Sequence, residues 1–180
     1  MRWLIASDIH GSAFWCEKLV EAFRREKADR LLLLGDILYH GPRNALPEAY
    51  APMDTAAMLN ELREYAVSVR GNCEAEIDQM VLSFPAMADY LLVDLGSVLI
   101  FATHGHVFNA MNPPPLRRGD ILLHGHTHVP VCEEHEGFWL MNPGSVSIPK
   151  MDSPHSYMTA ENGLFLWKDL DGNEFMRHKV

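Results

Sequence analysis

Two stretches decide how this chain folds: residues 2–11, Arg2-Trp3-Leu4-Ile5-Ala6-Ser7-Asp8-Ile9-His10-Gly11, and residues 31–36, Leu31-Leu32-Leu33-Leu34-Gly35-Asp36. Each opens as a short apolar run and ends at a carboxylate beside a glycine or an imidazole. That is how a buried strand reads when its C-terminal end meets a polar site. Between them Ser12 is placed to cap a helix carrying Trp15, Leu19, Ala22 and Phe23 on one face. Strand, helix and strand in this order predict a βαβ unit and hence a parallel sheet.

Outward from this unit, a Pro-rich connection over 37–52 leads to a predicted helix over about 54–64, with Leu59 and Leu62 facing inward, and a strand over 66–69. This makes a second βαβ unit. Residues 74–83 read as helical, and strands follow at 90–93, 98–103 and 121–123. The C-terminal third reads as mainly β, with turns at Glu136-Gly137, Asn162-Gly163 and Asp171-Gly172 separating runs at 138–141, 164–167 and 175–178. With no internal repeat and no linker, 180 residues suit one domain spanning 1–180.

Composition narrows the function. Hydrophobic residues make up 48% and charged residues 22% of the chain, enough apolar material for a substantial core and against a disordered chain. Fifteen basic against 24 acidic residues give a net charge of −9, which argues against long nucleic acid as a partner. No apolar run approaches the roughly 20 residues of a membrane helix, and no signal peptide is visible at the N-terminus. Three cysteines, Cys16, Cys73 and Cys132, are odd in number and lack CxxC spacing, so a reducing cytoplasm is the expected location.

Ionisable residues gather where predicted strands stop: Asp8 and His10, Asp36, Asn72-Cys73-Glu74, His104-Gly105-His106, and His124-Gly125-His126-Thr127-His128. Adjacent strands bring such ends together at the carboxyl edge of an open α/β sheet. Carboxylate, imidazole and carboxamide form a donor set suited to Mn, Fe, Zn, Co or Ni rather than to calcium or thiolate-bound zinc. Asp8 with His10 and His126 with His128 lie two apart, so an extended segment turns each pair to one side. Two ions need about seven ligands, with Asp36 or Asp8 bridging. Each motif alone is weak: Asp-x-His is common, and Gly-Asp after an apolar run is usually a turn. Five such clusters in this order make a purely structural explanation improbable.

The order DxH, GD, GN, GH and GHxH resembles the calcineurin-like metallophosphoesterases over nearly the whole chain. Residues 40–48 (His-Gly-Pro-Arg-Asn-Ala-Leu-Pro-Glu), with Asn72-Cys73-Glu74 and residues 142–147, resemble more narrowly a small bacterial phosphodiesterase subfamily. The resemblance implies a four-layer αββα sandwich of two facing mixed sheets flanked by helices. It implies one metal held by Asp8, His10 and His128, a second by Asn72, His104 and His126, and Asp36 between them, with manganese the expected metal. The implied activity is metal-dependent hydrolysis of small phosphodiesters by a dinuclear centre and a hydroxide bound there. No Ser or Cys nucleophile with an adjacent His and acid stands out, so direct attack by water is favoured over a covalent phosphoenzyme. His106 and the carbonyl of His126 or Thr127 are candidates for supporting contacts.

One departure stands out. Cys73 occupies the place where the family carries a histidine that protonates the leaving group. A thiol is a poor substitute for an imidazolium, so esters with good leaving groups should turn over best. The alternative is that Cys73 is simply a small buried residue. In the Pro-rich segment, Arg43 is a candidate phosphate clamp and His40 a candidate leaving-group acid; the alternatives are a solvated or intersubunit Arg43 and a His40 that only fixes the loop. His124 reads as a core histidine, while His135, His155 and His178 read as solvent-facing.

A phosphomonoesterase acting on proteins or nucleotides is the rival enzyme. Its dianionic substrate would call for extra cations, and Arg43 is the only one evident, which tilts the reading to diesters. A non-catalytic scaffold on the same fold would be expected to have lost ligands, and all seven are present; a nuclease would need a basic groove. The Pro-rich segment or an exposed strand offers surfaces for self-association as a dimer or tetramer, with no pattern specifying which.

Overall fold

A computed structural model of the protein describes residues 1–96 and 98–180. Eleven strands form two sheets among the described residues. The first contains β1 (Trp3–Ala6), β2 (Arg30–Leu33), β3 (Ala66–Ser68), β9 (Ser156–Glu161), β10 (Leu164–Asp169) and β11 (Glu174–Lys179), in the order β11-β10-β9-β1-β2-β3. The second contains β4 (Tyr90–Asp94), β5 (Leu99–Thr103), β6 (Ile121–Leu123), β7 (Pro130–His135) and β8 (Phe138–Pro143), in the order β4-β5-β6-β8-β7. Strands β1, β2 and β3 run parallel, as do β5, β6 and β8, while the remaining neighbours pair antiparallel.

The helices form where their ends are satisfied. Helix α1 (Ala13–Glu26) starts at Ser12, whose side chain accepts from Trp15 N, and stops at Lys27 in the left-handed conformation. Its buried Cys16, Leu19, Val20 and Phe23 follow the i, i+3, i+4, i+7 spacing of an inward stripe. Helix α2 (Pro52–Glu61) begins on Pro52, which is preset for a first helical turn, and buries Thr55, Ala56 and Leu59. It therefore starts and ends earlier than the periodicity suggests. Helix α3 (Glu76–Val81) has six residues, shorter than the expected 74–83, and none of them is buried.

Helices α1 and α2 cover the outer face of the first sheet through Leu4, Ala6, Leu31 and Leu33. The inner faces meet through Ile5, Leu32, Leu34, Ile121, Leu123, Met158, Phe165 and Trp167, the core of the sandwich. On the outer face of the second sheet, Phe108, Ala110 and Leu116 from an irregular segment pack on Phe101, Leu122, Phe138 and Leu140. Two mixed sheets with few helices match the α/β sandwich that the resemblance implies.

Two strands, β7 and β9, were not among the expected ones, and β9 is the one that burial conceals. Ser156, Tyr157, Met158, Thr159 and Ala160 lack polar alternation because this strand is covered on both faces, and all five are buried beside β1.

Candidate active site

The parallel strands of both sheets end at one edge of the sandwich. The turns after β1, β2 and β3 carry Asp8 and His10, Asp36, and Asn72; those after β5 and β6 carry His104, and His126 and His128. Glycines allow these turns to close on one another. A Cβ on Gly125 would stand 1.9 Å from Ser7 Oγ and 2.8 Å from Asp8 Oδ2, and one on Gly71 would stand 2.1 Å from Asp36 Oδ1. Of the eleven non-glycine residues described with positive φ, five are Asp8, His10, Asp36, His126 and His128. Left-handed backbone costs energy for L-residues, and its concentration here marks a site held in strain by its surroundings.

The seven side chains fall into two groups. In the first, His128 Nε2 is 3.2 Å from Asp8 Oδ1, His10 Nε2 is 3.6 Å from the same oxygen, and the two Nε2 atoms are 3.3 Å apart. In the second, His104 Nε2 is 3.1 Å from Asn72 Oδ1 and 3.2 Å from His126 Nδ1. Asp36 faces both, with Oδ2 3.7 Å from His10 Nε2 and Oδ1 3.5 Å from His104 Nε2. Cys73 also comes within donor reach of His10 and Asp36.

The donors are oriented from behind. His10, His104 and His128 each place Nδ1 2.6–2.7 Å from a backbone carbonyl, of Tyr39, Leu34 and Ile148 respectively. A carbonyl only accepts, so Nδ1 donates and the neutral ring presents Nε2 inward as a bare lone pair. Ser145 Oγ and Ser147 Oγ donate to the Asp8 carbonyl at 2.9 and 3.2 Å, and His126 N donates to Asp8 Oδ2 at 3.0 Å. Asp8 Oδ1 is buried without any hydrogen-bond donor. Imidazole lone pairs facing one another beside an orphaned carboxylate oxygen are mutually repulsive unless a cation lies between them. These residues fit divalent metal ions.

The electrostatics agree. Burial alone would raise the Asp8 pKa, but where no cation is present the His10 and His128 rings, in their protonated form, hold its carboxyl well below the usual range. Burial opposes charging His104, yet Asp36 and Asp8 carry its pKa up to about 9. Burial and the neighbouring His104 charge push His126 down to about 4. Without a metal, the cluster thus retains a proton on His104. Cys73 is pushed up, first by burial and then by the Asp36 carboxylate, so the protein's own charges keep it a neutral thiol.

Residues 1–162 match the calcineurin-like phosphoesterase superfamily domain. The chain belongs to this superfamily. It is 49% identical over 162 residues to phosphodiesterase YfcE of Escherichia coli K12, covering 90% of this chain and 88% of that one. The solved structure of YfcE, a phosphoesterase from E. coli, superposes over 100% of both chains with a TM-score of 0.96 at 44% identity. The probable metallophosphoesterase YsnB of Bacillus subtilis is 29% identical over 97% of this chain and 94% of its own. Vacuolar protein sorting 29 from Cryptosporidium parvum shares the fold, with a TM-score of 0.62 at 19% identity over 99% of this chain and 98% of that one.

A metallophosphoesterase cleft of about 390 Å³ opens over the cluster, bordered by Asp36, Asn72, Cys73, His126 and His128 on its floor. Arg43 borders it from the Pro-rich segment, at the tip of a turn in which Asn44 Nδ2 donates to the His40 carbonyl at 2.8 Å. His40 does not border the cleft. Its ring lies edge-on between Tyr39 and Tyr50, with centroids 4.8 and 5.2 Å away, and its buried Nδ1 has no partner. His40 is thus placed among the aromatic rings behind the Pro-rich segment, next to Gly41, which does border the cleft.

Lys150 was not singled out in the sequence, and Glu74 only within Asn72-Cys73-Glu74, with no role of its own. Lys150 also borders the cleft, so Arg43 is not its only extra cation. Glu74 is buried beneath the floor, accepting backbone N–H groups of Asp36, Ile37 and Gly71. Its adjacency to Asn72-Cys73 was the available signal; Lys150 had none. Among the other histidines, His124 is buried outside both groups with Nδ1 2.9 Å from the Gly125 carbonyl, and His106 is exposed with its ring 5.4 Å from that of His104. His155 and His178 do not face solvent freely as expected: they pack on Trp15 and Trp139 at 3.6 and 3.9 Å, while His135 Nε2 is 3.1 Å from the Ala110 carbonyl.

Proposed function

We propose that this cleft hydrolyses small phosphodiesters with two divalent cations, Asp8, His10 and His128 holding one, Asn72, His104 and His126 the other, and Asp36 touching both. The observation that carries this reading is the pair of donor groups sharing Asp36, in a chain 49% identical to a phosphodiesterase. The cations, when bound, polarise the phosphoryl group and supply nucleophilic water at neutral pH. Manganese is the proposed metal, since the N/O donor set suits it, and cytoplasm the proposed location.

The chain's own groups do the rest. The backbone carbonyls behind His10, His104 and His128 fix the ring tautomers so that no reorientation is needed during the reaction. Arg43 offers a forked donor to non-bridging phosphate oxygens from the cleft's rim. No Ser lies on the cleft floor among the described residues, and Cys73 is a neutral thiol among carboxylates, so water attacks phosphorus in line and the alcohol departs opposite. Seven residues of ligand chemistry converging on one point favour catalysis over a scaffold role. The chain is proposed to act as one domain, alone or as a homo-oligomer.

The test is hydrolysis of bis-p-nitrophenyl phosphate and p-nitrophenyl phosphate by chelator-stripped protein with and without Mn²⁺. Diester cleavage restored by metal and lost in Asp36→Asn is the expected result. Cleavage of the monoester alone would overturn the diester reading, and cleavage of neither with metal bound would favour the scaffold.

A further inference from the structure

Resting on the diesterase reading, we propose that the preferred substrate carries a second negative charge on its non-leaving alcohol, borne on a small aliphatic frame and recognised by Lys150. Charge balance is the first argument. Two dications and Arg43 set against Asp8, Asp36, the Glu74 carboxylate beneath the floor, an attacking hydroxide and a monoanionic diester already sum to neutrality. Lys150 is then surplus to the scissile group, in a chain whose net charge is −9. A further cation on one cleft of an acidic protein creates a local field for a second anion.

Both cations stand on braced turns. Lys150 N donates to the His128 carbonyl at 3.2 Å, which ties the lysine to the turn carrying a metal-site histidine. Its own carbonyl accepts from Ser153 N at 3.1 Å and Ser153 Oγ at 2.6 Å, and the intervening Met151 and Asp152 both have φ of 56°. Two consecutive left-handed non-glycine residues are a costly way to make a surface turn. They hold the root of an exposed side chain at the cleft's rim while its ammonium stays free to reach inward. Arg43 borders the same cleft from a turn closed by the Asn44 contact to His40.

The remaining lining defines the frame. No Phe, Tyr or Trp borders the cleft among the described residues, and its two imidazoles, His126 and His128, belong to the donor groups, so a nucleobase would have no free aromatic face on which to stack. Gly41, Pro42 and Asn44 present small and polar surface, and about 390 Å³ accommodates a phosphodiester with a short substituent. An aliphatic carboxylate or phosphate on the retained alcohol satisfies charge, size and polarity together.

The test uses three diesters with p-nitrophenolate as the common leaving group and differing only in the other alcohol: 2-carboxyethyl, 2-carbamoylethyl and 2-trimethylammonioethyl. The expected order of kcat/KM is carboxylate, then amide, then ammonium, with the carboxylate ahead of the amide by roughly fivefold or more. Lys150→Gln should draw that ratio towards one and Lys150→Glu should invert it. A non-hydrolysable phosphonate bearing the same carboxylate should bind the metal-loaded protein more tightly than its amide in calorimetry, again dependent on Lys150. Equal kcat/KM for carboxylate and amide, or a ratio untouched by Lys150→Gln, overturns the proposal. Faster cleavage of p-nitrophenyl phosphate than of the carboxylate diester would assign Lys150 as well to the scissile group and overturn it too. Failure to cleave any of the diesters would instead remove the diesterase reading beneath it.

Discussion

Glu74 Oε2 accepts a hydrogen bond from the backbone N–H of Asp36 at 2.9 Å, while the same carboxylate binds Ile37 N and Gly71 N. Burial and the Asp36 charge raise the Glu74 pKa against the opposing pull of these three N–H groups. One side chain thereby sets the spacing of the turns that carry Asp36 and Asn72.

Glu74→Gln should weaken this clamp, since the amide must turn an N–H group towards backbone donors. The expected cost is about 1–3 kcal/mol, together with reduced metal content. Urea unfolding and elemental analysis read the two effects separately; a fully loaded variant of unchanged stability would contradict the assignment.

Gly125→Ala tests the space at the site without a backbone penalty, because its φ lies outside the left-handed range. The new methyl would collide with Ser7 Oγ and press on Asp8. Loss of metal binding and about 1–3 kcal/mol of destabilisation are expected. Gly119→Ala, with φ of 89° and open space around it, should be destabilised by backbone strain and still bind metal.

Metal binding should depend on pH. A proton retained on His104 up to about pH 9 must leave before its Nε2 can serve as a ligand, so affinity should rise from pH 6 towards 9 with proton release. Calorimetry in buffers of different ionisation enthalpy measures that proton count. Chelation should lower the melting temperature, since ligand binding to the native state stabilises it.

Glu26 should make stability acid-sensitive at a place remote from the cleft. Lys168 Nζ lies 2.8 Å from Glu26 Oε1, and Tyr157 Oη donates to the same oxygen at 2.7 Å. Burial raises the Glu26 pKa, but Lys168 and Tyr157 outweigh it and the net shift is downward. The contribution is therefore fully present above the ordinary carboxylate value and lost as pH falls through the depressed one. Lys168→Met should cost about 3 kcal/mol at pH 7 by leaving a buried charge half-paired, and should flatten the acid limb of a urea-midpoint profile below pH 4.5.

Cys73 predicts a steep dependence on leaving group. Without an acid at this position, log kcat for aryl diesters should fall as leaving-group pKa rises, and Cys73→His should flatten that slope by raising the rate on poor leaving groups. A flat wild-type plot with an unimproved variant would return Cys73 to the role of a small packing residue.

Much of this molecule was legible along the chain. Apolar runs ending in glycine and acid marked β1 and β2, Ser12 marked the start of α1, and the paired Asp8/His10 and His126/His128 marked ligand chemistry, because these signals are local. Strand β9 was not legible, since a strand buried on both faces loses the alternation that identifies one. The spans of α2 and α3 shifted because capping and burial, rather than periodicity, determine where a helix ends.

By itself, then, the sequence determined the two βαβ units, the donor types available for metal and, through its motif order, the family. Only the tertiary structure decided that Asp36 faces both donor groups, that Glu74 clamps the turns, that His40 stands away from the cleft and that Lys150 stands beside it. The reason is physical: residue identity and short spacing control local backbone and chemistry, whereas such contacts depend on how separate turns pack at one edge of two sheets. Lys150 is distant in sequence from Arg43 and Asp36, and no local pattern records which cleft a surface cation will border.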